Sequence, residues 1–311
     1  MENYLFQSSK GYNLTGSYHI FPTNDEYRFR NFLDIILVHA FPFDSRMYLP
    51  NIEDEYVKEK LNRFAIQKGN IRIFLPNLPG FGNSDILKEK PTNLLPYTQC
   101  IEEVVKKFNI ENLIIGGCSM GGYIALEFIH NNTDTLKGLI LIDTKATADT
   151  DEQKQNRFQT IENIQKALKT NSIEDNDTIV IEQLSNQDQN IKAFINNLSN
   201  NIVSEYVHDK YPTISKEIRK IMKQQKLVGV IHALRAMAGR RDNTKILKKF
   251  KKKVLIIVGE YDQITPIEIS KQMKNIASKA KLKVVSNAGH LSNMENSYNF
   301  NLFLMDWIKK I

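Results

Sequence analysis

The chain is 311 residues long, 25% charged and 41% hydrophobic, with a formal net charge of +7. That length suits one large core carrying an insertion better than two independent domains. Two cysteines without CxxC or Cys/His spacing exclude a disulfide framework and a structural zinc site, and no apolar run nears the roughly 18 residues that span a bilayer.

In chain order, NYLFQ and SYHIF flank the turn-like SSKGYN and read as a hairpin. The start, MENYLFQSSK, has an early Glu and no apolar stretch of signal-peptide length, which predicts a soluble, cytoplasmic protein. DIILVHAF (Asp34 to Phe41) is then nearly continuous in apolar residues, the mark of a strand buried on both faces. IRIFLPNL (Ile71 to Leu78), NLIIGGCS (Asn112 to Ser119) and LKGLILIDT (Leu136 to Thr144) repeat the pattern. PYTQCIEEVVKKFNI and MGGYIALEFIH, between them, have helical periodicity. Strand alternating with helix predicts a mostly parallel sheet covered by helices.

After Thr144 the rhythm breaks. Residues 146–240 are polar and show no strong strand, but Phe158, Ile161, Ile164 and Leu168 recur at helical spacing. A packed helical insertion is expected there rather than a disordered tract. The array resumes with VLIIVGEYD (Val254 to Asp262), a helix near Ile267 to Ala277, KLKVVSN, and a terminal helix in NSYNFNLFLMDWI. The expected organisation is an α/β core, 1–145 and 241–311, with a helical cap at 146–240 inserted after the sixth strand. The cluster KKFKKK, Lys248 to Lys253, guards the sticky strand behind it and has no interleaved aromatics. Neither a nucleic-acid nor a membrane partner is expected.

The chemistry centres on GGCSMGGYIALEF, Gly116 to Phe128. Gly117-Cys118-Ser119-Met120-Gly121 fits G-x-S-x-G at a strand-to-helix junction, where a sharp turn holds a serine hydroxyl clear of the surface. Side chains at Gly117 and Gly121 would collide as strand and helix converge. Cys118 is read as a small apolar residue at the strand tip. A serine nucleophile needs a base, and the base an orienting acid. Among the downstream histidines, His290 in VVSNAGH stands just beyond a strand, at the sheet edge where ligands bind in such folds. Asp262 in GEYDQITP lies in a loop at the same edge, with Asp143 at the end of LILID as its competitor. The amides of Phe41, in the loop after the first buried parallel strand, and Met120, at a helix N-terminus, are the candidate oxyanion donors. His39 is expected to brace that loop.

With these residues in view, the chain resembles the α/β-hydrolase superfamily from about residue 30 to 310, less closely in the insertion. HAFPFDSRMY, NLPGFGNSD, GCSMGGYIALEF, GEYDQITP and NAGHLSNMEN look like its landmark segments in order. In detail it is similar to the branch of 3-oxoadipate enol-lactone hydrolases, small carboxylesterases and cofactor-free perhydrolases, which DTKATADT and HALRAMAGRRD also fit. The resemblance implies Ser119, Asp262 and His290 as a triad and a helical lid over roughly 146–240. No cofactor and no metal are expected. Three departures stand out. His39-Ala40 replaces His-Gly, Asn77 stands where an aspartate is frequent, and Asn51 to Asn70 is long for the first helix, which predicts surface elaboration.

The expected activity is a serine hydrolase cleaving a small-molecule carboxylic ester or lactone through an acyl-enzyme on Ser119. A perhydrolase, a C–C hydrolase or an acyltransferase would use the same triad. A ligand receptor with little turnover is the alternative of another class. Phe43, Met47, Phe158 and Leu291 are candidate pocket walls, with ordinary core packing the competing reading. General pocket chemistry predicts a mostly apolar site for uncharged short or medium acyl groups.

Overall fold

Strands form where apolar residues run on unbroken, because a strand covered on both faces has no solvent side to mark. The computed structural model describes residues 1–23, 32–173 and 177–311. The start of the resemblance near residue 30 and positions 174–176 of the expected insertion lie outside them. The strands are β1 (Glu2–Gln7), β2 (Asn13–Phe21), β3 (Phe32–Val38), β4 (Asn70–Asn77), β5 (Leu113–Cys118), β6 (Leu136–Ile142), β7 (Lys253–Gly259) and β8 (Ala280–Val285). They make one sheet in the order β1-β2-β4-β3-β5-β6-β7-β8. β2 runs antiparallel to both its neighbours, and all other pairings are parallel.

That order contains a switch at β3, which pairs with β4 on one side and β5 on the other. The loops leaving the carboxyl ends of β3 and β5 therefore part in opposite directions and open a crevice. His39–Phe41 leaves β3 there, and Ser119 leaves β5.

Helices cover both faces. Glu55–Lys68 is capped by Asp54, whose side chain accepts from the Val57 N–H, and buries Val57, Leu61 and Ala65 at four-residue spacing against β2 and β4. This corrects the expectation of surface elaboration at Asn51 to Asn70: its length goes into a covering helix. The helix Met120–Phe128 is buried on every side, as a nearly all-apolar sequence requires, and its one acid, Glu127, is paired with Arg241.

Between β6 and β7 the chain is helical, with Asp151–Thr170, Ile181–Ser185, Gln189–Ile202, Glu205–Lys210, Pro212–Lys223 and Leu227–Ala238. The first helix opens on a capping box of Thr150 and Gln153. It buries Ile161, Ile164 and Ala167. These helices rest on the loops at the carboxyl edge of the sheet. Gln225 donates from Nε2 to Asp44 at 2.8 Å and accepts from the Gly82 N–H at 3.1 Å. Among the described residues no helix is long and apolar enough to cross a membrane.

Candidate active site

β5 ends at Cys118 and the next helix begins at Met120, so Ser119 alone makes the turn. Its backbone sits at φ 50°, ψ −111°, a conformation that costs about 1–3 kcal/mol for a residue with a side chain. Hydrogen bonds hold it there. The Ser119 N–H donates to the Ile142 carbonyl at 2.9 Å, and the Ser119 carbonyl accepts from the Gly122 N–H at 2.9 Å and Thr144 Oγ1 at 2.8 Å. The flanking glycines have a steric reason. A Cβ on Gly121 would fall 2.0 Å from the Val38 carbonyl oxygen, and one on Gly117 would fall 2.4 Å from the Gly121 carbonyl carbon.

Residues distant in sequence converge on this turn. Nε2 of His290 is 2.8 Å from Ser119 Oγ, and its Nδ1 is 2.9 Å from each carboxylate oxygen of Asp262. Asp262 is itself fixed, accepting from the N–H groups of Ile264 and Thr265 at 2.9 Å and from Thr265 Oγ1 at 2.6 Å. Burial works to raise the Asp262 carboxyl, but the charge and hydrogen bonds of His290 and Thr265 outweigh it and hold it below the ordinary range. The His290 imidazole is buried, which disfavours its charged form, yet the Asp262 carboxylate raises its proton affinity above the ordinary histidine value.

The competitor Asp143 has other work. Oδ1 accepts from the Gly259 N–H at 2.8 Å, and Oδ2 accepts from the Ser292 N–H at 3.0 Å and hydroxyl at 2.6 Å. It ties the ends of β6 and β7 to the segment after His290. Burial, then the nearby Asp262 charge, push its carboxyl well above the ordinary range. Glu295 does similar work, accepting from the N–H groups of Gly289 at 2.9 Å, Leu291 at 3.1 Å and Ser204 at 2.8 Å. It clamps both neighbours of His290 to a helical-insertion residue. Sequence reasoning missed Glu295, since a lone glutamate at the end of the short helix Ser292–Glu295 carries no spacing signal.

Phe41 lines the same cavity as Ser119 and His290. Met120, fully buried and not among the residues that line the cavity, is the first residue of its helix, so its N–H has no intrahelical acceptor. His39 is buried and spans two loops, accepting at Nε2 from the Leu78 N–H at 3.0 Å with Nδ1 2.8 Å from the Ala40 carbonyl. Burial lowers its pKa to about 4. Cys118 is fully buried, and burial followed by nearby carboxylates raises its thiol well above the ordinary value. A thiol so held is inert.

The cavity over Ser119 has a volume of about 430 Å³, within the usual range of roughly 300–1,000 Å³ for small-molecule sites. Its walls differ from expectation. Phe43, Met47 and Leu291 are buried in the core and do not line it, while Phe158 is 43% exposed on the outer side of its helix. The wall is built instead from Tyr123, from Gln153, Asn156, Arg157, Thr160, Asn163 and Ile164 of one insertion helix, and from Asn190, Phe194, Asn197 and Asn201 of another. Lys145 and Asp149 complete one end. Ala193, Leu198, Ile202, Leu234, Met237 and Ile264 also line it, so the wall is mostly apolar, as expected, with a stripe of polar side chains set into it. Among the described residues no three His, Cys, Asp or Glu side chains gather as metal ligands.

Known proteins resemble this chain in sequence and in structure. It is 25% identical over 276 residues to the AB hydrolase superfamily protein YisY of Bacillus subtilis (strain 168), covering 86% of this chain and 88% of that protein. It is 22% identical over 248 residues to Lipase 3 of Moraxella sp. (strain TA144), 76% of this chain and 69% of the lipase. Its fold matches a thermophilic esterase from Thermogutta terrifontis with a TM-score of 0.78 at 23% identity, covering 100% and 99% of the two chains. The enol-lactonase from Burkholderia xenovorans LB400 matches with a TM-score of 0.74 at 16% identity, covering 98% and 99%. The sequence pattern of the α/β-hydrolase fold matches residues 35–297, and the chain belongs to that family.

Proposed function

We propose that the protein is a serine hydrolase that cleaves a carboxylic ester or lactone, with Ser119 as nucleophile, His290 as base and Asp262 as its orienting acid. The observation that carries this reading is the unbroken contact from Ser119 Oγ to His290 to Asp262, at 2.8 and 2.9 Å. With a proton on Nδ1, His290 donates to Asp262 and offers the lone pair of Nε2 to the serine hydroxyl. As Oγ attacks the substrate carbonyl carbon, its proton passes to Nε2. The carbonyl oxygen becomes an anion in reach of the Phe41 and Met120 amides. Each such donor is worth on the order of a hundred- to a thousandfold in rate. Collapse breaks the bond to the alcohol oxygen, which takes the proton from His290 and leaves an acyl group on Ser119. Water then attacks that acyl group with His290 again as base, freeing the acid.

Residues 146–240 act in this reading as a cap on a core of 1–145 and 241–311. Its two long helices supply most of the cavity wall, so it sets which acyl and alcohol groups fit. The lipases and the enol-lactonase among the relatives act on esters and lactones by their names, which supports this bond type. The test is turnover of p-nitrophenyl esters from acetate to decanoate by the wild type and by Ser119→Ala. Multiple turnovers abolished by the substitution support the reading. A single burst with no further turnover would favour a ligand receptor instead.

A further inference from the structure

We infer that Glu295 is a positioning residue for His290, and that it works by fixing the loop of that histidine to the helical insertion. This rests on the reading of His290 as the base. The core holds the two ends of the loop. The Tyr261 N–H donates to the Ala288 carbonyl at 2.8 Å, and the Ser292 N–H donates to Asp143 at 3.0 Å. The three N–H groups between them turn elsewhere. Those of Gly289 and Leu291 donate to Glu295 at 2.9 and 3.1 Å, and that of His290 itself donates to the Ile202 carbonyl at 3.0 Å. Glu295 in turn accepts from the Ser204 N–H at 2.8 Å. All three donors thus end on the insertion or on an acid shared with it.

The junction is close-packed. A Cβ on Gly289 would fall 2.8 Å from the Ser204 nitrogen and 3.2 Å from the Ile202 carbonyl oxygen, so glycine is what lets the two segments approach. Glu295 is buried, and three N–H donors on its two oxygens suit a carboxylate, which only accepts. Burial raises its carboxyl above the ordinary range, against the pull of those same donors. At the other end of the tie, Ile202 is the last residue of the helix Gln189–Ile202, and Phe194, Leu198 and Ile202 of that helix line the cavity over Ser119. One element therefore builds the cavity wall and ends on the main chain of the histidine. The insertion cannot swing away from the sheet without releasing His290, so it acts as part of the machinery rather than as a removable cover. An imidazole displaced by about 1 Å can cost on the order of a hundredfold in rate.

The test is Glu295→Gln, which keeps the size of the side chain but turns an amide NH2 toward N–H donors. With p-nitrophenyl butyrate, kcat per folded molecule should fall roughly tenfold to a hundredfold, while KM stays within about threefold. Fluorophosphonate labelling of Ser119 should slow by the same factor as kcat. Leu61→Ala, in the covering helix Glu55–Lys68, should lower Tm without changing kcat, which separates a misplaced base from general loss of stability. Ser204→Pro reaches the tie from the insertion, replacing the donor with a ring carbon at a φ of −64° that proline adopts. It should lower kcat as Glu295→Gln does, and the double variant should be little worse than either single one. Should Glu295→Gln fail to fold, Ser204→Pro decides alone. Unchanged kcat in folded Glu295→Gln or in Ser204→Pro, or losses that multiply in the double variant, would overturn the proposal. The reading of His290 as base fails separately, if His290→Ala keeps full turnover.

Discussion

Both carboxylate oxygens of Asp262 lie 2.9 Å from Nδ1 of His290, whereas both oxygens of Asp143 are taken by Gly259 and Ser292. The two acids end neighbouring strands and differ in what is left for the imidazole. Asp262→Asn should therefore lower turnover by roughly four orders of magnitude, by presenting the wrong tautomer. Asp143→Asn should lose far less turnover but melt earlier, since an amide cannot accept all three bonds and an unmet buried donor costs about 1–3 kcal/mol. Steady-state kinetics and thermal melts on the two variants check this, and the reverse pattern would exchange the roles.

The pH dependence follows from His290. In the proposed mechanism the imidazole acts as base when neutral, and Asp262 raises its proton affinity above the ordinary 6.5 despite burial. The acid limb of kcat/KM should accordingly have its midpoint above 6.5. In Asp262→Asn that midpoint should move down. The same raised affinity stabilises the fold most below 6.5 and loses that contribution as pH rises through the folded value. A midpoint below 6.5 in the wild type would contradict the geometry of the pair.

Gly121→Ala tests the turn itself. The added methyl meets the Val38 carbonyl oxygen at 2.0 Å, and a backbone carbonyl in a central strand cannot step aside. Destabilisation of about 1–3 kcal/mol or more is expected, with turnover reduced in the fraction that still folds. Denaturant midpoints measure the first effect. A variant as stable and active as the wild type would show that helix and strand are not so closely apposed.

Phe158→Ala and Ile164→Ala test the wall of the insertion. Phe158 is exposed and outside the cavity, so its loss should change stability by no more than about 0.5 kcal/mol. Ile164 is buried and faces the cavity, so its truncation should cost about 2–5 kcal/mol. It should also shift acyl-chain preference toward larger groups. Melts and an ester-length panel read both.

These contrasts show where the sequence was readable. The strands β3 to β7 could be placed because they are buried on both faces, and an unbroken run such as LILI admits few other readings. Ser119, Asp262 and His290 could be placed because each sits just past such a run. The cavity wall could not. Asn190, Phe194, Asn197 and Asn201 recur at helical spacing, as do Gln153, Asn156, Thr160 and Asn163. In sequence a polar stripe lining a cavity looks the same as one facing water. Phe158 misled for the converse reason: a large apolar residue at helical spacing was read as an inward face, but the helix turns it out.

The most direct measurement is mass spectrometry of the protein after reaction with a fluorophosphonate, which captures only a serine whose hydroxyl has been activated. One adduct per chain, on the peptide containing Ser119 and absent from Ser119→Ala and His290→Ala, is the expected result. No adduct on the folded wild type, or one that persists without His290, would contradict it.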